Sequence, residues 1–492
     1  MQATEQCDAV VVGSGPNGLA AAVVLARAGL DVRVVEAQPT IGGGARTMDL
    51  GLAPGIVHDV CSAVHPMAAA SPFFRAFDLR ARGVRLNYPE VSYAQPLDGG
   101  RAGIAYRDLD RTVDELGPDG PAWRRLLGPL ARHAPAVVDT ALGDRRSLPA
   151  DLLTAAQFGL HVAEQGTPLG RRRWRGEVAP ALLMGVAAHA ICRLPTLTAA
   201  GTALSLGALA HSPGWPLPVG GSQAIVDALV DDLRAHGGVI ETGVEITSFA
   251  QLPPAHAYLF DTTPRGLLHI MGDRLPRRYQ RSLERFRYGN AAAKVDFVLS
   301  GPVPWAHPEV AHAGTIHVGG TLAEMAHAEA EVAAGRHAER PMILASDPAV
   351  FDPGREVGGL RPFWTYTHVP AGSSVDVGDV VQAQIERFAP GFGDLVVARR
   401  TIPAVEMAEH NANYINGDIA AGAMNLWQIL ARPTLRWDPY ATPVPGVYLC
   451  SASTPPGPAV HGMSGFYAAR RALRTRFGVR TPPSLAPAAS AA

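Results

Sequence analysis

Between Cys7 and Glu36 the sequence runs CDAVVVGSGPNGLAAAVVLARAGLDVRVVE: an apolar run, a glycine turn, an apolar helix and a second apolar run closed by an acid. Val10–Val12 predict a buried strand, Leu19–Ala28 a helix and Val32–Val35 a parallel strand. Gly13-Ser14-Gly15-Pro16-Asn17-Gly18 is a G-x-G-x-x-G turn between the first two. Gly13 allows the tight turn, Gly15 lets a pyrophosphate approach the backbone, and Gly18 permits close helix–strand packing. Pro16 and Asn17 open the helix, whose N-terminus presents free N–H groups and a partial positive charge. Glu36 stands 18 residues after Gly18, with Ala37 beside it, placed to accept hydrogen bonds from both ribose hydroxyls. A carboxylate there repels a 2′-phosphate. Strand, glycines, helix, strand and acid in that order predict a dinucleotide site, which a glycine turn alone does not.

A chain of 492 residues exceeds one ordinary core, so two or three structural units are expected. Net charge is −1 and no basic run exceeds Arg171-Arg172-Arg173, which argues against nucleic acid as a partner. Four scattered cysteines with no C-x-x-C exclude a redox dithiol and give no metal-site spacing. The first strand begins within ten residues, which predicts no signal peptide and a reducing, cytoplasmic setting. Ala179–Cys192 and Leu194–Ala210 are the most apolar stretches, short for a membrane span and rich in small residues. They predict buried helices around a substrate cavity, with membrane contact peripheral at most.

Glycine and proline clusters divide the rest. The expected elements include a helix over Gln223–His236, a strand over Val239–Thr247, a strand over Lys294–Leu299 and a helix over Phe466–Phe477. The reading is an α/β protein. A Rossmann-like dinucleotide domain is assembled from the discontinuous segments 7–76, 214–265 and 405–478. An α+β substrate domain, a mixed sheet with helices, is inserted as 77–213 and 266–404. The Pro/Ala-rich segment 479–492 reads as a disordered tail. No second fingerprint follows a strand, so a single dinucleotide is expected.

Gly42-Gly43-Gly44-Ala45-Arg46-Thr47 follows the βαβ unit at once. A second close backbone approach so soon after the ribose acid suits a cofactor lying extended through the protein, which favours FAD over NAD. Further strings carry a resemblance: PVGGSQAIVDALVDDLRAHGGVIETGVEI from Pro218, HDVCSAVHPMAAASPFF from His58, YGNAAAKVDFVLSGPVPW from Tyr288, WTYTHVP from Trp364, NGDIAAG from Asn416 and the ending PGVYLCSASTPPGPAVHGMSGFYAARRAL. Together these resemble the flavin-dependent amine oxidase and carotenoid (phytoene) desaturase superfamily, in particular the phytoene-dehydrogenase-like branch that includes the pyridine nucleotide-disulfide oxidoreductase domain-containing protein 2 group. Without C-x-x-C, disulfide reductase chemistry is not expected.

The resemblance implies noncovalent FAD. Gly43, Gly44, Arg46 and Thr47 run along the pyrophosphate and ribityl side, and Val244 meets the adenine through its backbone. Ala452 and Thr454 through Gly462 and Met463 pass the ribityl chain and reach the flavin ring. Where many flavoproteins place an acid beside a glycine, this chain has Ser451-Ala452, which removes one ribityl contact. A helix starting near Gly462-Met463-Ser464 aims N–H groups at the negative charge of a reduced flavin.

Lys294 is the only lysine among 43 basic residues, which suggests a site that needs a primary amine. In the resembling amine oxidases a lysine in a similar strand contacts the flavin N5 region through water. Lys294, His65 and His461 are therefore the catalytic candidates, with His58, Asp59 and His368 as further titratable groups. Trp305, Trp364, Tyr366 and Trp427 are candidates for an apolar cavity wall. The expected activity is hydride removal from a hydrophobic small molecule, with oxygen or a quinone reoxidising the flavin. Amine oxidation and a non-catalytic flavoprotein are the alternatives.

Overall fold

The computed structural model describes residues 6–487. The opening fingerprint folds as its periodicity requires. Cys7–Val12 forms a strand, Pro16–Arg27 a helix in which Asn17 through Ala26 are all buried, and Val32–Val35 the returning strand. Proline at the first helical position costs no hydrogen bond, because the first turn has no acceptor for that N–H.

These strands lie in a five-stranded parallel sheet ordered Val447–Leu449, Ala255–Phe260, Cys7–Val12, Val32–Val35, Val239–Glu241. Three separated pieces of chain supply it, giving the discontinuous dinucleotide domain. Its central helix packs against Gln223–Ala235 and Met463–Arg476. Contact with the latter is so close that a Cβ on Gly465 would lie 1.8 Å from the Asn17 carbonyl. A larger residue at Gly465 would force the two helices apart.

A second, seven-stranded sheet runs Val396–Ile402, Ala291–Leu299, Arg361–Val369, Ile343–Ser346, Ala313–Val318, Val91–Leu97, Arg101–Tyr106. Ala313–Val318 pairs parallel with Val91–Leu97 and the other pairs are antiparallel, which makes the sheet mixed. The apolar helices Val178–Ala187 and Leu197–Ala210 share a core with one face of it, around Tyr93, Ala292 and Trp364. At ~1.5 Å per residue, ten and fourteen residues reach about 15 and 21 Å, short of the ~30 Å hydrocarbon layer. No helix among the described residues is long and apolar enough to cross a membrane.

Four boundaries differ from the sequence reading. The strand expected to Thr247 ends at Glu241, because Gly243 takes a left-handed turn (φ +69°) and Val244 N–H donates to the Glu36 carbonyl instead. The final helix begins at Met463, three residues before the Phe466 that its periodicity marks and within the Gly462-Met463-Ser464 start that the resemblance implies. Residues 266–283 were assigned to the substrate domain. Leu267, Ile270, Met271, Tyr279 and Leu283 instead share a core with Val10, Val12 and Leu449 of the parallel sheet. The expected tail is anchored as far as 487: Leu485 is buried in the dinucleotide core, and Arg27 and Arg82 donate to the carbonyls of Ser484, Ala486 and Leu485. Residues 488–492 lie outside the described residues.

Candidate active site

Two glycine loops meet at the C-terminal edge of the parallel sheet. Gly13 adopts φ +99° and its N–H donates to the Val35 carbonyl, tying the turn to the neighbouring strand. A Cβ on Gly43 would lie 3.0 Å from Gly15 Cα, and one on Gly44 only 2.1 Å from the Tyr414 hydroxyl. Neither Gly43 nor Gly44 has free room for a side chain. Glu36 is 8 % exposed and accepts from Ser14 N–H (2.8 Å), the Ser14 hydroxyl (2.6 Å) and Gln38 N–H (2.8 Å). The acid is thus fixed at the strand end where a ribose would be recognised. Ala37 is exposed beside it.

Arg46 is buried at 2 % exposure, yet its guanidinium hydrogen-bonds to no carboxylate among the described residues. Its partners are the Gly43 carbonyl (2.8 Å), the Thr40 hydroxyl (2.8 Å) and the His410 carbonyl. Burial pulls the Arg46 pKa below its ordinary value. A buried cation beside a glycine cradle with no hydrogen-bonded carboxylate is complementary to a phosphate. The acid, the cradle and this cation fit a dinucleotide. Thr47 has a different role: its hydroxyl donates to Asp59 Oδ1 (2.6 Å) and accepts from Gln223 N–H (3.1 Å), so its side chain braces the fold. Burial raises the Asp59 carboxyl, but Arg355, Ser222 N–H and Thr47 together carry it below its ordinary value.

The helix N-terminus is not free as the sequence suggests. Asp261, just past the strand Ala255–Phe260, accepts from Gly18 N–H at 3.0 Å, and its Oδ2 lies 2.5 Å from where a Gly15 Cβ would be. Nothing near the fingerprint in sequence reveals this residue, since it arrives from 243 positions away. Burial pushes the Asp261 carboxyl up to about 7, with the charge of Glu36 adding to the rise and the Gly18 and Gly15 N–H groups opposing it. The carboxylate and a bound pyrophosphate would compete for the same donors and repel each other. Dinucleotide affinity should therefore fall as pH rises through 7 and Asp261 ionises. One proton linked to one site gives about a tenfold loss between pH 6 and 8. Asp261→Asn should bind at least as tightly and flatten the profile, read by titrating FAD fluorescence at each pH. A wild-type affinity that does not change over this range would remove Asp261 from the site's electrostatics.

Lys294 and Asp296 occupy alternate positions of the strand Ala291–Leu299 and so share one face, while Ala293, Val295 and Phe297 fill the core on the other. Both are buried, and Lys294 Nζ donates to Asp296 Oδ1. His58 Nδ1 stands 3.5 Å from the same oxygen, and the Trp364 ring centre lies 5.4 Å from Nζ. Asp296 Oδ2, both His58 ring nitrogens and Trp364 Nε1 have no hydrogen-bond partner among the described residues. Each such buried atom costs about 1–3 kcal/mol. Their clustering beside one ammonium marks a place where another polar group belongs. Burial, Arg46 and Lys294 together push the nearby His410 down to about 4, so the glycine cradle and Lys294 belong to one continuous region.

His461 does not keep the catalytic role expected of it. Its Nε2–H donates to the Gly457 carbonyl (3.0 Å) and its Nδ1 accepts from Met463 N–H (3.0 Å), so both ring nitrogens are used by backbone. Burial lowers it to about 4, and it serves as a neutral brace for the last helix. Gly462, at φ +69°, caps that helix against Phe73, where a Cβ would come within 2.6 Å of the ring. The Thr454 hydroxyl donates to the Ser451 carbonyl (2.7 Å), and the Ala452 carbonyl accepts from the buried Arg432 (3.0 Å). His368 is buried against Glu329, away from solvent. Trp427 is 66 % exposed and Trp305 lies in the core on the far face of the mixed sheet, so neither lines a cavity with Trp364 and Tyr366.

A cavity of about 150 Å³ opens between the two domains. Its lining includes His65, Met67, Ala459 and Val460 from the dinucleotide side of the chain, with His189, Trp215 and Thr315. No carboxylate lines it.

A parallel sheet built from separated segments, beside a mixed sheet with a cavity lined from both parts of the chain, is the amine oxidase-like fold with a Rossmann-like dinucleotide domain. Residues 11–81 match the NAD(P)-binding Rossmann-like domain family. The chain is 25% identical to the rat pyridine nucleotide-disulfide oxidoreductase domain-containing protein 2, over 95% of this chain and 93% of that one. It is 30% identical to a menaquinone reductase of Mycobacterium tuberculosis over 45% of this chain and 55% of the other. The cyclohexylamine oxidase of Brevibacterium oxydans superposes with a TM-score of 0.57 at 15% identity, covering 95% and 98% of the two chains.

Proposed function

We propose that the protein is an FAD-dependent oxidoreductase that takes hydride from an apolar small molecule, in the manner of the phytoene-dehydrogenase-like enzymes. The observation that carries this reading is the buried Arg46 guanidinium, held to the second glycine loop by the Gly43 carbonyl and hydrogen-bonded to no carboxylate among the described residues, with the fixed acid Glu36 as its nearby negative charge. FAD, when bound, supplies a two-electron hydride acceptor. Glu36 holds the ribose, Gly15 and Gly43 admit the pyrophosphate, and Arg46 balances its charge. Lys294, kept dry and positioned by Asp296, supplies a fixed positive charge next to the orphaned polar atoms. His65 and Trp215 line the cavity that would take the substrate.

The likeness to a menaquinone reductase supports a quinone as one partner in electron transfer, alongside oxygen. Amine oxidation fits less well, because an ammonium buried in a cavity with no lining carboxylate costs several kcal/mol. The location that goes with this reading is cytoplasmic, with peripheral membrane contact at most.

Anaerobic screening tests the reading. Apolar compounds are mixed with the FAD-loaded protein and the 450 nm flavin band is followed without oxygen. Substrate-dependent bleaching that recovers on admitting air or a quinone is the expected result. A flavin that no compound bleaches, and that reoxidises only slowly after photoreduction, would instead identify a structural cofactor.

A further inference from the structure

We propose that the cavity beside His65 takes an apolar molecule carrying a hydroxyl group, whose O–H donates to His65 Nδ1. This deepens the proposed function and rests on the reading of that cavity as the substrate site.

The hydrogen-bond network around His65 leaves one assignment. The Ser222 hydroxyl has a single proton, and it donates that proton to the Ser62 carbonyl. His65 Nε2 lies 2.8 Å from the same hydroxyl oxygen, so it can only be the donor there. Burial pushes His65 down to about 4, so the ring is neutral at physiological pH. A neutral ring that carries its proton on Nε2 has a bare acceptor at Nδ1, and His65 lines the cavity. A ligand must therefore bring a donor. Hydrocarbons and ketones have none to offer.

The rest of the lining discriminates further. His189 Nε2 and His317 Nε2 are 2.9 Å apart, so one donates and the other accepts. Burial lowers His189 to about 3 and pushes His317 well below its ordinary value, which keeps both rings neutral. His317 Nδ1 is buried without a partner, whereas His189 borders the cavity. His189 therefore offers the cavity a neutral polar group, and a hydroxyl can both donate and accept. An ammonium would also bring donors, but the lining residues, Ser62 and Thr315 among them, are all neutral or apolar and give it no counter-charge. Trp215 contributes only its ring, since its indole N–H is taken by the Leu206 carbonyl (3.0 Å). A cavity of about 150 Å³ accommodates a six-membered ring, as engineered apolar cavities of roughly that size take up benzene.

The test uses the FAD-loaded full chain and four probes of one shape: cyclohexanol, cyclohexanone, cyclohexylamine and methylcyclohexane. Binding is read from the perturbation of the flavin absorption band and, independently, from Trp215 fluorescence, with Trp215→Phe as the control. Cyclohexanol should bind about tenfold or more tightly than the other three, because they leave the buried acceptor unsatisfied or bring an uncompensated charge. His65→Phe should abolish that preference. Ser222→Ala, which removes the group that fixes the ring's tautomer, should narrow the alcohol-to-ketone ratio while leaving methylcyclohexane unchanged. Equal binding of alcohol, ketone and hydrocarbon, strongest binding of the amine, or no binding of any probe to the loaded protein would overturn the proposal. A protein that takes up no FAD, yet whose Trp215 fluorescence still selects the alcohol, would sink the flavin reading and leave this one standing.

Discussion

Gly15→Val should yield a folded protein that binds no FAD. The backbone at Gly15 (φ −63°, ψ 167°) suits valine, so the effect comes from space alone. A Cβ there lies 2.5 Å from the Asp261 carboxylate, and Gly43 of the second loop approaches from the other side. The added methyl groups occupy the volume through which a pyrophosphate must reach the helix N-terminus. FAD affinity should fall by at least about 10³-fold, since the ligand loses its phosphate contacts and meets a steric clash as well. Gly15→Ala provides a graded companion with a smaller loss. Isothermal titration of the apoprotein with FAD measures both, with a thermal melt to verify folding. Near-normal FAD affinity in a folded Gly15→Val protein would mean that the fingerprint is not the cofactor site.

The second large effect concerns the single lysine. With Lys294 beside the flavin as proposed, Lys294→Met should slow reoxidation of the photoreduced flavin by air about 10²-fold, because a unit charge about 4–5 Å away would be worth roughly 3–4 kcal/mol at an effective dielectric near 20. The substitution also strands the buried Asp296, which by itself costs about 3–5 kcal/mol of stability. Lys294→Met combined with Asp296→Asn removes both charges and separates the two consequences. The double variant should regain thermal stability but stay slow to reoxidise. Lys294→Arg keeps the charge without the compact amine, and partial recovery is expected. Stopped-flow absorbance at 450 nm after photoreduction reads all three. Unchanged reoxidation in a folded Lys294→Met protein would reduce Lys294 to a structural partner of Asp296.

The parts of the site legible in the sequence are those whose geometry is local. Gly13, Gly15, Gly18 and Glu36 sit within one βαβ unit, and backbone requirements fix their spacing. Lys294 stood out because composition isolates it, and its partner two residues on follows from the period of a strand. Asp261 and Tyr414 cannot be read the same way. They reach the site by long-range packing, and only the fold shows that Tyr414 covers Gly44 or that Asp261 holds the Gly18 N–H. The role of His461 is hidden from the sequence for a related reason. Its segment lies at the expected place, but two backbone groups of its own loop consume its nitrogens, a detail set by dihedral angles. The anchoring of the tail is hidden as well, because composition gives no sign that Leu485 fills a gap in the dinucleotide core.

Releasing and quantifying the cofactor tests the central claim most directly. Protein purified or reconstituted with FAD, then denatured in acid, should release one FAD per chain into the supernatant, with no flavin left on the polypeptide. A colourless protein that takes up no FAD on reconstitution, or one that binds NAD in its place, would contradict the account.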